Sequence, residues 1–240
     1  MKLPWYTGKL IDIQKVNALT WKFWIEIPEI EKMEFKPGQF ITLDLPIHEK
    51  RTKRWRSYSI ANAPNDGNIV ELVIVYLEGG AASNYLFNEV NIGDEITLRG
   101  PLGVFVLQDE IDNDICFVAT GTGVGPFRSM LWYIHENDIP HKNIYLAFGT
   151  RHKDNLLYRD EFEELEKLLP KFKYLPVLSR EEDWDGRKGH VHQIYEELFT
   201  DGRPADFYLC GWKVMVDEAR ERIEKLGYDR RKDIHLEIYG

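Results

Sequence analysis

Cysteine is almost missing from this chain. Its 240 residues contain two, Cys116 and Cys210. Two thiols cannot supply a four-thiolate iron–sulfur cluster or a disulfide-dense scaffold; a pair of buried thiols in a reducing compartment is expected instead. No run of about 18 apolar residues occurs, so no membrane-spanning helix is expected. Met1 to Leu10 has Pro4 and Gly8 and no apolar stretch of leader type, so a cytoplasmic location is expected rather than secretion. Positive charge is also short, at 31 Lys and Arg against 40 Asp and Glu, a net −9. That balance argues against nucleic acid as a partner. What is present, 43% hydrophobic and 30% charged residues, suits a globular chain of one large or two small domains of roughly 100–200 residues each. Aromatic residues, at 13%, serve equally as core or as stacking faces for a flat ligand, and composition leaves both open.

The two halves differ in period. In the first, Trp21, Phe23, Ile25 and Ile27 share one face while Lys22, Trp24 and Glu26 share the other. Ile41, Leu43 and Leu45 alternate with Phe40, Thr42 and Asp44, and Leu72–Leu77 and Glu95–Leu98 are further short strands. Pro37-Gly38, Asn65-Asp66-Gly67 and Asn91–Asp94 are turn signals between them. Strands of this spacing predict an antiparallel sandwich or barrel. In the second half, apolar strands at 115–119, 144–148, 174–178, 206–210 and 234–239 alternate with helical patterns at 160–169, 191–199 and 215–226, and Pro126 opens a further helix. That order predicts a five-stranded parallel sheet flanked by helices. The boundary is expected within the Asp-rich stretch 108–113, giving domains 1–110 and 111–240.

The link from the first of these strands to its helix reads ATGTGVGPF, Ala119 to Phe127. A glycine-flanked helix start offers free N–H donors and a positive dipole end to phosphate. The glycines fall at Gly121, Gly123 and Gly125, so the dinucleotide fingerprint G-x-G-x-x-G is not met: its third glycine would coincide with Pro126. The next strand ends in Gly149-Thr150-Arg151 and carries no acid for a ribose hydroxyl. From spacing alone, a phosphate loop and an ordinary tight strand–helix turn both stand.

Several motifs, taken in order, resemble the ferredoxin–NADP reductase family: Arg56-Ser57-Tyr58-Ser59 its R-x-Y-S, Gly79-Gly80-Ala81-Ala82-Ser83 its G-G-x-x-S, and Gly100–Phe105 the end of its barrel. Gly121–Ser129 (GTGVGPFRS), Leu156-Leu157-Tyr158, Ser179-Arg180, Cys210-Gly211 and Glu237-Ile238-Tyr239 follow in family order. The resemblance spans essentially the whole chain. It implies a flavin-binding six-stranded antiparallel barrel followed by a nicotinamide-nucleotide domain, with FAD as cofactor, NADPH or NADH as donor, and no metal.

The roles of the residues follow from that resemblance. Arg56 offers a guanidinium fork to the FAD diphosphate, and Gly79 to Ala82 allow close backbone approach while Ser83 starts a helix facing the anion. Tyr58 stacks on the isoalloxazine, and Ser59, beside Ser57, hydrogen-bonds near its reactive nitrogen. Thr120, Gly121, Thr122, Gly123, Gly125 and Pro126 form the nucleotide loop, and Cys210 and Gly211 lie beside the nicotinamide. Tyr239 covers the second flavin face and Glu237 takes part in proton movement, although Gly240 shifts this ending by one residue from the plant-type pattern. Ser59, Cys210, Glu237 and Tyr239 are thus the expected catalytic set. Ser179 and Arg180 match the family's reader of a 2′-phosphate, helped by Arg151 and Lys188, with acids Glu181, Glu182, Asp183 and Asp185 opposing; NADPH is favoured.

Lys50, Arg51, Lys53, Arg54 and Arg56 form a local basic patch that can steer an acidic ferredoxin, flavodoxin or oxygenase component. The expected protein is a monomeric oxidoreductase passing electrons from NAD(P)H through FAD to such a carrier. A flavin reductase that takes flavin as substrate, and a non-catalytic nucleotide-binding subunit, are the alternatives.

Overall fold

A computed structural model describes residues 4–239, which leaves Met1–Leu3 and Gly240 outside the description. The chain forms two compact units. One runs to Leu107 and includes Gly125–Tyr133; the other comprises Gln108–Val124 and the residues from Ile134 on.

The first unit holds strands β1 (Tyr6–Lys15), β2 (Thr20–Glu26), β3 (Phe40–Asp44), β4 (Trp55–Ser59), β5 (Ile69–Val75) and β6 (Glu95–Leu102), with helix α1 (Ala81–Asn88). They form one antiparallel six-stranded sheet in the order β4-β3-β6-β1-β2-β5. Just beyond β4 the Ala61 N–H donates to the Glu71 carbonyl at 2.8 Å, so the two edge strands meet and the sheet curls into a barrel. Alternation did its work: Phe23, Ile25, Ile41, Leu43, Leu72 and Leu98 are all buried in one core, which Leu86 and Phe87 of α1 complete. Strand β1 escapes the alternation pattern because its register slips between Leu10 and Asp12, a bulge that breaks the period of two.

The second unit is a parallel sheet in the order β10-β9-β8-β7-β11-β12, built from β7 (Asp114–Thr120), β8 (Ile144–Thr150), β9 (Phe172–Leu178), β10 (Arg187–Lys188), β11 (Ala205–Trp212) and β12 (Ile234–Tyr239). It has six strands, not the five expected. The extra one, β10, is two exposed residues long and too short for any periodicity to mark it. Helices α2 (Gly125–Glu136), α3 (Arg159–Leu168), α4 (His192–Leu198) and α5 (Lys213–Lys225) follow their strands, and α4 and α5 share a core with Val118, Phe207 and Leu209. Among the described residues no helix is long and apolar enough to cross a membrane.

Candidate functional site

The carboxyl ends of β7 and β11 are where an open parallel sheet binds ligands, and the sequence-predicted nucleotide residues collect there. Gly121–Val124 is itself a tight helical turn, and α2 starts directly after it, with Pro126 as its second residue. The three glycines of this loop answer three different demands. Gly121 sits at φ +56°, which favours glycine. A Cβ on Gly123 would stand 2.6 Å from the Cys210 carbonyl carbon and 2.8 Å from the Gly211 Cα, so two backbones touch there. A Cβ on Gly125 would meet Val73 Cγ1 at 3.1 Å and Ala61 Cβ at 3.6 Å.

Among the described residues one hydroxyl beside this loop has incomplete hydrogen bonding in the protein alone. The Thr120 hydroxyl is buried without a hydrogen-bond partner, and a Cβ on Gly211 would strike it. Buried hydroxyls without a partner are rare. Cys116 and Cys210 are both free and fully buried. Burial, reinforced by the Glu237 charge and opposed by a hydrogen bond to the Tyr239 side chain, holds the Cys210 thiol well above the usual 9.0. It is therefore a neutral thiol, not a nucleophile.

The partner of β11 supplies the rest. β12 pairs in register, Cys210 with Glu237 and Trp212 with Tyr239. The strand alternates: after buried Ile234, Leu236 and Ile238 are 38% and 39% exposed, while His235, Glu237 and Tyr239 are half-buried. Gly240, which shifts the terminal pattern, lies outside the described residues. Sequence reasoning passed over Trp212, whose half-exposed indole brings Nε1 to 3.7 Å from where a Gly121 Cβ would stand; an aromatic directly after Cys-Gly was the available signal.

A measurable consequence concerns pH. In the unfolded chain both thiols ionise near 9.0, whereas burial keeps them protonated in the fold. Above that pH only the unfolded state releases these protons, so their contribution to stability, complete below 9.0, is lost as pH rises through it. The melting temperature is expected to fall between pH 8.5 and about 10, and Cys210→Ala is expected to flatten part of that slope. A slope unchanged in the variant counts against the buried thiol.

Farther along the sheet, Ser179 and Arg180 end up beside Arg151, because the Ser179 and Arg180 N–H groups donate to the Thr150 and Arg151 carbonyls, both at 3.0 Å. Among the described residues neither the Arg151 nor the Arg180 guanidinium has a partner, and both are exposed. The opposing acids are partly occupied: Glu181 accepts from the Lys153 N–H at 2.9 Å and lies 3.7 Å from His152. Lys188 is less available than expected, since its ammonium donates to the Glu182 carbonyl at 2.7 Å.

In the barrel unit, β3 and β4 set Ile41 opposite Tyr58, Leu43 opposite Arg56 and Phe40 opposite Ser59. Arg56 and Tyr58 therefore share one side of the strand; Ser57 and Ser59 take the other. The Thr42 and Ser57 hydroxyls meet at 3.2 Å. Burial, partly offset by the Arg56 charge, raises the Tyr58 hydroxyl to about 12, so it stays neutral. Arg56 Nη1 donates to the Lys53 and Trp55 carbonyls at 3.0 and 2.8 Å, and among the described residues Nε and Nη2 have no partner. Helix α1 begins after Gly80 with no side-chain cap, so its first amides remain available to an anion. Ser83 does not start that helix. It is the third residue, and its hydroxyl turns back onto the Leu77 and Gly80 carbonyls at 2.7 and 3.1 Å. Gly79 takes φ +73° and has open space beside it. Of the basic patch, Arg51 and Arg54 are both tied to buried Asp44, at 3.0 and 2.7 Å; among the described residues the Lys50 and Lys53 ammonium groups have no partner.

Comparison with known proteins gives this arrangement its context. Residues 7–107 match the family model of the oxidoreductase FAD-binding domain, and residues 117–221 that of the oxidoreductase NAD-binding domain. Ferredoxin–NADP reductase B of Sorangium cellulosum (strain So ce56) is 33% identical over 243 residues, covering 98% of this chain and 97% of that protein. Phenol hydroxylase P5 protein of Acinetobacter pittii (strain PHEA-2) is 36% identical over 86% of this chain, which spans only 58% of that longer protein. Among solved structures, the Amycolatopsis cytochrome P450 reductase GcoB superposes with a TM-score of 0.88 at 26% identity, over 99% of this chain and 71% of that one. With an FAD-binding and an NAD-binding domain in that order and a relative matched from end to end, the chain belongs to the ferredoxin–NADP reductase family of flavoprotein oxidoreductases.

Proposed function

We propose that this protein draws electrons from a reduced nicotinamide nucleotide, NADPH in preference to NADH, and passes them through FAD to a one-electron carrier of ferredoxin or flavodoxin type or to an oxygenase component. The observation that carries this reading is the partnerless buried Thr120 hydroxyl beside Gly211 and the neutral Cys210 thiol. Such a site suits the uncharged face of a nicotinamide and offers nothing that would attack it. FAD, when bound, accepts a hydride and releases electrons singly.

The chain's own residues bind, orient and exclude water. Arg56 and the uncapped start of α1 hold the diphosphate, Tyr58 offers its ring, and Ser59 aims a hydroxyl. Cys210, as a neutral thiol, and Tyr239 line the nicotinamide side, and Glu237 takes part in proton movement. The NADPH preference rests on Arg151 and Arg180, two guanidinium groups just beyond adjacent strand ends that have no partner among the described residues. Lys50 and Lys53 are the charges left to meet an acidic carrier. We assign residues 1–110 and 111–240 to flavin and nucleotide binding. Two unbridged buried thiols suit a reducing, cytoplasmic setting.

A visible spectrum recorded during stepwise NADPH and NADH titration tests cofactor, donor and preference together. The expected result is a yellow protein bleached at lower NADPH than NADH. A folded, colourless protein that takes up no FAD in excess overturns the reading. One that binds flavin only in passing points instead to a flavin reductase. Arg56→Ala is expected to weaken FAD affinity about tenfold or more, since hydrogen bonds to charged groups are the strong ones; unchanged occupancy after dialysis would remove Arg56 from the site.

A further inference from the structure

We infer that Arg128 and Ser129, backed by Glu71, are positioning residues that fix the backbone following Ser59 and so set the direction of its hydroxyl; the inference rests on the flavin reading above. Ser59 ends β4, and each residue after it is held by a separate bond. The Ile60 N–H donates to the Gln39 carbonyl at 3.0 Å and the Ala61 N–H to the Glu71 carbonyl at 2.8 Å. The next two carbonyls are each taken by a side chain of α2: Arg128 Nη1 donates to Ala61 O at 2.9 Å and the Ser129 hydroxyl to Asn62 O at 2.7 Å. Asn62 closes the set, its Oδ1 accepting from the Glu71 N–H at 2.8 Å.

The chemistry of this clamp exceeds what packing requires. Arg128 Nη1 also meets the Glu71 carboxylate at 3.0 Å, with Glu71 only 4% exposed, Ser129 fully buried and Lys22 at 4.0 Å from the same carboxylate. Buried ion pairs contribute little net stability, because desolvation offsets the attraction. What such a pair supplies is direction: one nitrogen shared between a carboxylate and a main-chain oxygen permits few arrangements. Residues 125–133 belong to the barrel unit, and Gly125, lacking a Cβ, lets the first turn of α2 lie against Ala61. The glycine in the loop motif and the Arg-Ser pair after it therefore serve the flavin strand.

The test is a double-mutant cycle read on the midpoint potential of bound FAD, joined to hydrogen exchange on the apoprotein. Ser59→Ala is expected to shift the potential. Arg128→Met is expected to shift it in the same direction, and the double variant to move it no further than the larger single change. Arg128→Lys, which keeps a charge and several donors, is expected to restore at least half of the shift. In the apoprotein, amides 60 and 61 are expected to exchange about tenfold faster in Arg128→Met and in the milder Ser129→Ala, with the rest of the barrel unchanged. Additive potential shifts, or unaltered exchange at 60 and 61 in Ser129→Ala, overturn the inference while flavin binding stands. Failure of the wild-type chain to take up FAD overturns the function reading itself, and is seen before any variant is made.

Discussion

Gly123→Ala is expected to lower the melting temperature by about 10 °C and to abolish detectable nicotinamide-nucleotide binding. The added methyl would lie 2.6 Å from the Cys210 carbonyl carbon and 2.8 Å from the Gly211 Cα. These are backbone atoms in the middle of a sheet, at the end of a strand whose residues up to Gly211 are buried, so they cannot swing aside as a flexible side chain would. Overpacking of this kind destabilises by about 1–3 kcal/mol, and rigid backbone puts this site at the upper end. For a chain of this size each kcal/mol is worth about 2–4 °C. Relief by displacement of the loop would carry Thr120 and Gly121 away from Cys210, so binding falls with stability. Gly67→Ala is the control, because its methyl would meet only the end of the Asn65 side chain, at 3.1 Å. Equal melting temperatures for the two variants, measured by calorimetry, would refute the backbone-contact argument.

The second large effect concerns the choice of donor. Arg180→Ala is expected to raise the KM for NADPH at least tenfold and to leave that for NADH within about twofold, with kcat little changed for either. A charge-assisted hydrogen bond to phosphate contributes about 1.5–3 kcal/mol, and only NADPH presents the 2′-phosphate. Arg151→Ala is expected to act in the same direction, because the two strand ends are joined through the Arg180 N–H and the Arg151 carbonyl. Lys188→Ala is expected to do less, since its ammonium is already committed to the Glu182 carbonyl. Steady-state kinetics with both nucleotides decide the matter. Equal losses for NADPH and NADH in Arg180→Ala would leave that residue without a role in reading the phosphate.

Much of the architecture was legible in residue order. Period-two patterns marked β2 and β3, short runs marked β5 and β6, and the switch to alternating strands and helices marked the parallel sheet, because burial of one strand face or one helix stripe is written directly into sequence. Less was legible where the pattern is short or interrupted: β1 carries a bulge, and β10 is two exposed residues. At the proposed site, the ordered motifs name candidate residues but not what each side chain does in the fold. Gly125 reads as part of a phosphate loop, yet its missing side chain makes room for Val73 and Ala61. Ser83 reads as a helix start, yet its hydroxyl folds back on two carbonyls.

The amino-acid sequence by itself determined the two-part fold and the family, since these follow from periodicity and from motif order along the chain. Tertiary structure alone decided which charges remain free to act. Asp44 binds Arg51 and Arg54, the Glu182 carbonyl holds Lys188, and Glu71 holds Arg128, while Arg151 and Arg180 have no partner among the described residues. Charge pairing is settled over a few ångströms between side chains far apart in the chain, and Coulomb energy depends on that separation and on burial.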